Sequence, residues 1–193
     1  MTDHSLILKN IRKHIELDKK ELEFFTSLLS GREVLKKEMI LEEGKDCNYL
    51  HYVHSGAFRA YALDQNANER IVMFALNDWW VTDMHAFVNE KPSMLNIQAM
   101  EDSTILQLRK SDLEKLYKGV PKFERFFRVL MQNSYIREQM RVIQNLTIPA
   151  EERYINFIAK YPQVVQRAPL KQIASYLGVT PQFLSVIRAR KRK

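Results

Sequence analysis

The sequence has few of the residues that crosslink or interrupt a chain: one Cys, five Gly and six Pro among 193 residues. The single Cys47 forms no internal disulfide, which is typical of a protein in a reducing cytoplasm. The scarcity of Gly and Pro, together with 46% hydrophobic residues, indicates a chain that is folded throughout. No apolar run approaches the roughly 20 residues that span a bilayer, and the first residues do not form a secretory signal. We therefore expect a cytoplasmic protein without a membrane partner.

Motifs of catalysis and of metal binding are also missing from the sequence. It contains no Gly-rich phosphate loop, no paired Cys or His at metal-ligand spacing and no recognisable nucleophile motif. We therefore expect that the protein is not an enzyme and that it carries neither a metal nor a cofactor.

Acidic residues are absent from one long segment. From Arg153 to the last residue there is no Asp or Glu, whereas nine Lys and Arg lie there. The whole chain has 30 basic and 23 acidic residues, so residues 1–152 hold 21 basic and 23 acidic residues, a net charge of −2. The formal net charge of +7 thus divides into a mildly acidic body and a C-terminal region of +9. This concentration of positive charge indicates a polyanionic partner.

A helix-turn-helix pattern lies inside this acid-free region. Its first helix ends at Gly178, which tolerates the left-handed conformation that such a stop requires. Thr180 as N-cap and Pro181 at the first helical position then begin a second helix. An ordinary helical hairpin is the alternative, but the turn chemistry and the acid-free surface favour binding of the second helix in the major groove of double-stranded DNA. Apolar residues at helical spacing give the two helices their inward faces: Ile173, Ala174, Leu177, Leu184 and Ile187.

The second helix, from Pro181 to about Arg190, is the predicted recognition helix. Gln182 can pair with adenine through two hydrogen bonds, whereas Val186 offers only apolar contact, for instance to a thymine methyl group. Lys171, Gln172, Thr180 and the basic C-terminal residues suit phosphates, which orient the protein without reading sequence. The candidate DNA-binding residues are Lys171, Gln172, Thr180, Pro181, Gln182, Ser185, Val186, Arg188, Arg190, Lys191 and Arg192.

The rest of the chain changes its periodicity along its length. Residues 5–29 have the spacing of amphipathic helices, and residues from about Val34 to Leu108 have that of short strands joined by tight turns, typical of a sandwich or a barrel-like roll. A short helix at 111–117, with Ser111 as a candidate N-cap, precedes a long helix from about Pro121 to Leu146. The predicted fold class is α+β, with a β-roll domain at 1–120, a long helix at 121–148 and a helix-turn-helix domain at 149–193.

The long helix has two apolar faces. The first has the alternating spacing of three and four residues that forms a coiled-coil seam, in which the polar Asn133 would fix register and pairing. We expect this seam to join a homodimer, although burial of both faces inside one chain is the alternative. A two-fold dimer would place two recognition helices about one DNA turn apart and would bind a palindromic operator. The predicted seam is Phe126, Val129, Asn133, Ile136, Met140 and Ile143, and the second face, packed on the strands, is Phe123, Phe127, Leu130 and Met131.

The sequence resembles the CRP/FNR family of transcription regulators, and more closely the shorter members common in Bacteroidetes-type bacteria. The matching segments are spread over nearly the whole chain in the family's order. The resemblance implies a cyclic-nucleotide-binding-like jelly roll with flanking helices, a long dimerisation helix and sequence-specific DNA binding, and it leaves RNA polymerase open as a partner. The segments are 40–47 (ILEEGKDC), 53–61 (VHSGAFRAY), 79–83 (WWVTD), 92–93, 150–154 (AEERY), 161–162 and 173–181 (IASYLGVTP).

The sequence departs from the family's pattern where relatives bind cyclic AMP. Those relatives have a Gly-Glu pair that holds the ribose and, about ten residues later, an Arg-Ser or Arg-Thr pair whose Arg neutralises the phosphate. The pairs fall here on Thr82-Asp83 and Ser93-Met94. Asp83 can still accept a ribose hydrogen bond, but nothing replaces the Arg, and a buried phosphate without a cation is costly. We therefore expect no response to cyclic AMP.

Two further departures concern DNA and iron. Similar sequences usually have Arg where Val186 stands, so the family's usual target sequence is in doubt. The sequence stops soon after the recognition helix, so we expect a helix-turn-helix domain that lacks a full β-wing. The cysteine cluster of iron–sulfur sensors is also missing, because Cys47 is alone.

The content of the roll stays open at this point. A set of apolar and polar residues either lines an effector pocket or fills the core, and the identity of any effector is unknown. We expect a homodimeric, sequence-specific transcription regulator; the alternative is a degenerate sensor whose roll binds another ligand or a protein, with weak DNA binding. The candidate effector-pocket residues are Met73, Trp79, Trp80, Thr82, Asp83, Ser93 and Met94.

Overall fold

A computed structural model describes residues 3–190, with Arg190 described by its backbone alone. Two helices open the chain, α1 (Ser5–Arg12) and α2 (Lys19–Ser27). Asp18 and Glu21 form a capping box at the start of α2, in which each side chain accepts the backbone N–H of the other residue. Ile7 and Ile11 are fully buried, so α1 packs on the core through one apolar face.

Within residues 3–190, eight antiparallel strands form two four-stranded sheets. The strand order is β1-β8-β3-β6 in one sheet and β2-β7-β4-β5 in the other. The side chains between the sheets are apolar and fully buried, among them Phe58, Ile97 and Leu106. The predicted α+β class with a β-roll is confirmed. The strands are β1 (Leu29–Val34), β2 (Met39–Leu41), β3 (Tyr49–Ser55), β4 (Ala57–Leu63), β5 (Glu69–Leu76), β6 (Trp80–Val81), β7 (Asn96–Ala99) and β8 (Ser103–Arg109).

Helices occupy the remainder of the described chain. α3 (Met84–Asn89) follows β6, and α4 (Lys110–Gly119) follows β8. The long helix α5 (Lys122–Thr147) then leads to four shorter helices. None of the helices within residues 3–190 is both long and apolar enough to cross a membrane. The last four are α6 (Ala150–Lys160), α7 (Pro162–Arg167), α8 (Leu170–Leu177) and α9 (Pro181–Arg190).

Some element boundaries differ from the sequence prediction. β1 begins at Leu29, five residues before the predicted start of the strands, because residues 29–34 pair in continuous register with β8. Ser111 is not the N-cap of α4: the cap position is Arg109, and Ser111 lies within the first turn. The short helices α3 and α7 were not predicted, because six residues carry too little periodicity.

Two apolar clusters hold the fold together. The first joins the interior of the roll to α1, α2, α4 and the first turns of α5. The second lies between the C-terminal helices and residues of β4 and β5, namely Tyr61, Ile71, Phe74 and Leu76. The helix-turn-helix of the chain therefore packs against its own roll. The predicted domain boundaries at 120 and 148 stay a prediction.

Candidate nucleic-acid interface and ligand cavity

The turn between α8 and α9 has the predicted chemistry. Gly178 ends α8 in the left-handed conformation with φ of +69°, and its N–H donates to the carbonyls of Ala174 and Ser175. The Thr180 hydroxyl accepts the N–H of Phe183 at 3.2 Å, which caps α9. Ala174 and Leu184 are fully buried where the two helices pack together. The helix-turn-helix is therefore built as the sequence predicted.

One face of α9 is left open to solvent. Gln182, Ser185, Val186 and Arg188 are exposed there, although the Ser185 hydroxyl is used by its own helix, since it donates to the Pro181 carbonyl at 2.9 Å. Phe183 is also exposed, and the sequence prediction missed it. Helical spacing from the buried Leu184 and Ile187 could have placed it on the outer face.

The remaining candidate DNA-binding residues lie on both sides of the turn. Lys171 and Thr180 are exposed, whereas Gln172 and Pro181 are half-buried. Arg190 is the last residue of α9. Lys191 and Arg192 lie outside the described residues.

The helix-turn-helix is attached to the roll through the edge strand β5. The Ser175 hydroxyl accepts the N–H of Ile71 at 2.9 Å and donates to the carbonyl of Glu69 at 3.0 Å. Arg141 of α5 donates to another carbonyl of this strand, that of Val72, at 3.0 Å. An edge strand otherwise leaves such backbone groups unpaired, so α8 and α5 together cap this edge.

A cavity of about 560 Å³ lies between the roll and α5. Four of the seven predicted pocket residues line it: Met73, Trp79, Trp80 and Thr82. Its other roll-side walls are mostly aliphatic, and Phe127, Leu130 and Met131 close it from α5. Arg137 of α5 is the single cation among its lining residues within the described chain, and its guanidinium lies over the Trp79 ring at 5.6 Å from the ring centre.

Asp83, Ser93 and Met94 do not line this cavity, which corrects the prediction for these three residues. Asp83 is 3% exposed and caps α3 by accepting the N–H of Ala86 at 3.1 Å. Its other oxygen accepts the Ser93 hydroxyl at 3.0 Å and the Met94 N–H at 2.9 Å. Both carboxylate oxygens are thus used inside the protein, and the Met94 side chain is on the surface.

The hydrogen bonds of Asp83 also decide its charge. Burial raises the pKa of this carboxyl, but the N–H groups of Ala86 and Met94 and the Ser93 hydroxyl lower it by more, so that its pKa lies below the ordinary value of 3.8. Asp83 is therefore a structural carboxylate that joins α3 to the loop before β7.

The exposed face of α5 carries most of the predicted seam. Asn133, Ile136, Met140 and Ile143 are exposed, with Ile136 at 54% and Met140 at 46%, and Val129 is half-buried. Phe126 was wrongly assigned to this face. It is fully buried among the aromatic rings of the roll core, because the first turns of α5 are embedded there. Tyr135, Val142 and Leu146 are exposed apolar residues that the heptad spacing missed.

The second apolar face of α5 packs as predicted. Phe123 and Phe127 are buried in the roll core, Leu130 packs against it and Met131 lines the cavity. No cluster of three or more His, Cys, Asp or Glu side chains that could hold a metal ion occurs within residues 3–190.

Comparisons with known proteins agree with this architecture. The family model of the cyclic nucleotide-binding domain matches residues 31–119. The anaerobic regulatory protein of Pasteurella multocida is 24% identical over 190 residues, which cover 92% of this chain and 68% of that protein. The fumarate and nitrate reduction regulatory protein of Vibrio cholerae is 22% identical over 189 residues, covering 92% of this chain and 75% of that protein.

Solved structures show the same fold. FixK2 from Bradyrhizobium japonicum has a TM-score of 0.72 at 19% identity, covering 84% of this chain and 83% of its own. A CRP/FNR-family protein from Eubacterium rectale has a TM-score of 0.70 at 16% identity, covering 91% and 84% of the two chains. The chain is therefore similar to CRP/FNR-type regulators in sequence and in fold, and its residues 31–119 match the cyclic nucleotide-binding domain.

Proposed function

We propose that the protein is a homodimeric transcription regulator that binds specific DNA sequences through α9. The observation that carries this proposal is the open face of α9, mounted on a capped turn in a segment of the chain that has no acidic residue. An exposed helix with Gln182 near its N-terminus suits base contacts in the major groove. The names of the relatives support the same role, because they are regulatory proteins.

Dimerisation is inferred from α5. Ile136, Met140 and Ile143 form an apolar stripe along an exposed helix, and Asn133 lies in the same stripe. Complete burial of an exposed apolar side chain contributes roughly 1.5–3 kcal/mol. Ile136, Met140 and Ile143 are 54%, 46% and 44% exposed, so each would contribute about half of that, and pairing of two stripes favours a dimer. The two-fold axis of that dimer would relate two α9 helices and require a palindromic operator.

We also propose that cyclic AMP is not the effector. The carboxylate that would hold the ribose is occupied by Ala86, Ser93 and Met94, and Ser93 stands where the phosphate-binding Arg of relatives would be. The cavity instead has a mostly apolar lining, with one cation, Arg137, and two acidic residues, Asp78 and Glu138, among its described lining residues. Calorimetric titration with cyclic AMP should give no binding, and binding at micromolar concentration would contradict this part of the proposal.

A second candidate function is supported by the same cavity. Its volume of about 560 Å³ falls within the range of roughly 300–1,000 Å³ that is typical of small-molecule sites. The roll could thus bind an apolar effector and leave DNA binding weak in its absence.

One experiment separates these two functions. Purified protein is mixed with a random pool of DNA duplexes at physiological salt without added ligand, and the bound duplexes are sequenced. Enrichment of a palindrome supports a regulator that is competent without an effector. Salt-sensitive binding without enrichment supports the second candidate, whereas the absence of any duplex binding contradicts both. The Gln182→Ala variant serves as control, because it should retain affinity for random duplexes and lose enrichment at one base position.

A further inference from the structure

A second, smaller cleft lies where α5, α6 and α8 meet. Its volume is about 80 Å³, several times the roughly 10–15 Å³ that one water molecule requires. Its lining residues differ from those of the large cavity, and Arg137 is the one described residue that lines both. The cleft reaches Tyr176 and Leu177 at the end of α8, directly before the turn of the helix-turn-helix.

The cleft is cationic. Four basic side chains line it, Arg137, Arg141, Arg153 and Lys160, and no acidic residue of the described chain is among its lining residues. Among the described residues, the single carboxylate bound to this group is that of Glu138, which pairs with Arg141 at 2.7 Å and with Arg137 at 3.4 Å. Four positive charges thus share one negative charge around a space open to a ligand.

The two cations of α6 have no carboxylate partner within residues 3–190. Arg153 is held by backbone carbonyls, those of Asn145 at 3.2 Å, Ile148 at 2.9 Å and Leu177 at 3.1 Å. These bonds fix the guanidinium at the ends of α5 and α8 but do not neutralise it. The Lys160 ammonium lies 5.3 Å from the centre of the Tyr161 ring and is otherwise free to meet an anion.

Neutral donors also line the cleft, beside the apolar and aromatic side chains of Met140, Phe157, Tyr161, Tyr176 and Leu177. The side-chain amides of Gln144, Asn145 and Asn156 face the cleft and make no hydrogen bond with the described residues. Guanidinium and amide N–H groups bind tetrahedral oxyanions well, because several oxygens accept at once, and a phosphoryl group offers three of them. A single carboxylate ligand would satisfy fewer of these donors.

We propose that this cleft binds a phosphoryl group, held by Arg137, Lys160 and the neighbouring amides. Either of two sources supplies that chemistry: a free phosphorylated small molecule, or a backbone phosphate of bound DNA. In both cases the anion bridges α5 to α6 beside the end of α8 and therefore fixes the orientation of the C-terminal helices relative to the long helix. The first source does not depend on the proposed DNA-binding function, so the two proposals fail separately.

The test uses the full chain and inorganic phosphate as the probe. Calorimetric titrations at constant ionic strength compare the unchanged protein with Lys160→Gln and Arg137→Gln. Arg128→Gln is the matched control, since it removes the same charge from an exposed position of α5 outside the cleft. Thermal unfolding checks that Arg137→Gln is folded, and Lys160→Gln alters only an exposed side chain.

A small-molecule source is supported if the affinity for inorganic phosphate weakens about tenfold in both cleft variants and is unchanged in Arg128→Gln. The same variants are then tested for affinity to a random duplex. A DNA phosphate is supported by three results together. Lys160→Gln loses more duplex affinity than Arg128→Gln does, the salt slope of its duplex binding is smaller by about 0.9, and inorganic phosphate does not bind. If neither phosphate nor duplex affinity separates the cleft variants from Arg128→Gln, the site does not exist.

Discussion

Asp83 provides a sharp test of how the roll is built. The substitution Asp83→Ala removes the cap of α3 and both bonds to the loop before β7. Loss of an N-cap costs about 1 kcal/mol, and a hydrogen bond to a charged group contributes roughly 1.5–3 kcal/mol. Because such effects overlap at one site, we expect the free energy of unfolding to fall by about 3–5 kcal/mol.

Urea unfolding followed by circular dichroism measures this loss, and Asp112→Ala is the control. Asp112 is also a helix-associated carboxylate, but among the described residues its side chain pairs only with Lys115 on the surface. Its removal should therefore change stability by less than about 0.5 kcal/mol. The same comparison carries a pH signature. The pKa of Asp83 is lowered in the folded state, so its stabilisation is present above pH 3.8 and is lost as the pH falls through the folded-state pKa. A loss below about 1 kcal/mol in Asp83→Ala would refute the structural role of this carboxylate.

Three further predictions concern dimerisation, DNA binding and pH. Ile136→Glu should convert the dimer to a monomer in sedimentation equilibrium, because it places a charge in the apolar stripe. The control Val88→Glu changes a similarly exposed apolar residue outside α5 and should leave the dimer intact. Gln182→Ala should weaken binding to the selected operator by about 1–3 kcal/mol and should hardly change binding to random DNA. Lys171→Gln should weaken binding to both DNAs and lower the salt slope by about 0.9. Equal effects of the two substitutions on both DNAs would contradict this division of roles. His51 is 3% exposed, and burial lowers its pKa to about 4, so the unfolded chain takes up one more proton than the folded chain as the pH falls from 6.5 to about 4. Stability should decline over that range by about 3 kcal/mol, and an equal decline in His51→Gln would show that another group is responsible.

The sequence predicted the helix-turn-helix well because its signals are local. Gly178, Thr180 and Pro181 each favour one backbone conformation at one position, and the buried residues repeat at helical spacing around them. The strands of the roll were found for a similar reason, since their turns and their apolar runs lie close together in sequence. β1 was the exception, because its residues gain their strand conformation from pairing with β8, which lies about seventy residues later.

The errors arose where the answer depends on distant contacts. Heptad spacing placed Phe126 on the seam, yet spacing cannot tell how far a helix is embedded in a core at its first turns. The resemblance aligned Asp83 with a ribose-binding position, but the direction of its carboxylate is set by the loop that carries Ser93 and Met94. Ser175 has the appearance of an ordinary helix serine in the sequence, and only the position of β5 shows what it binds.

The capped edge of β5 has a practical consequence for dissecting the protein. A shortened chain that ends with α5 would lose Ser175 and the C-terminal helices that pack on Ile71 and Phe74. Both the edge strand and an apolar patch would then face solvent. Bare edges of this kind pair with one another. Self-association of such a fragment would therefore reflect the missing cover, and studies of ligand binding by the roll should use the chain with its C-terminal helices in place.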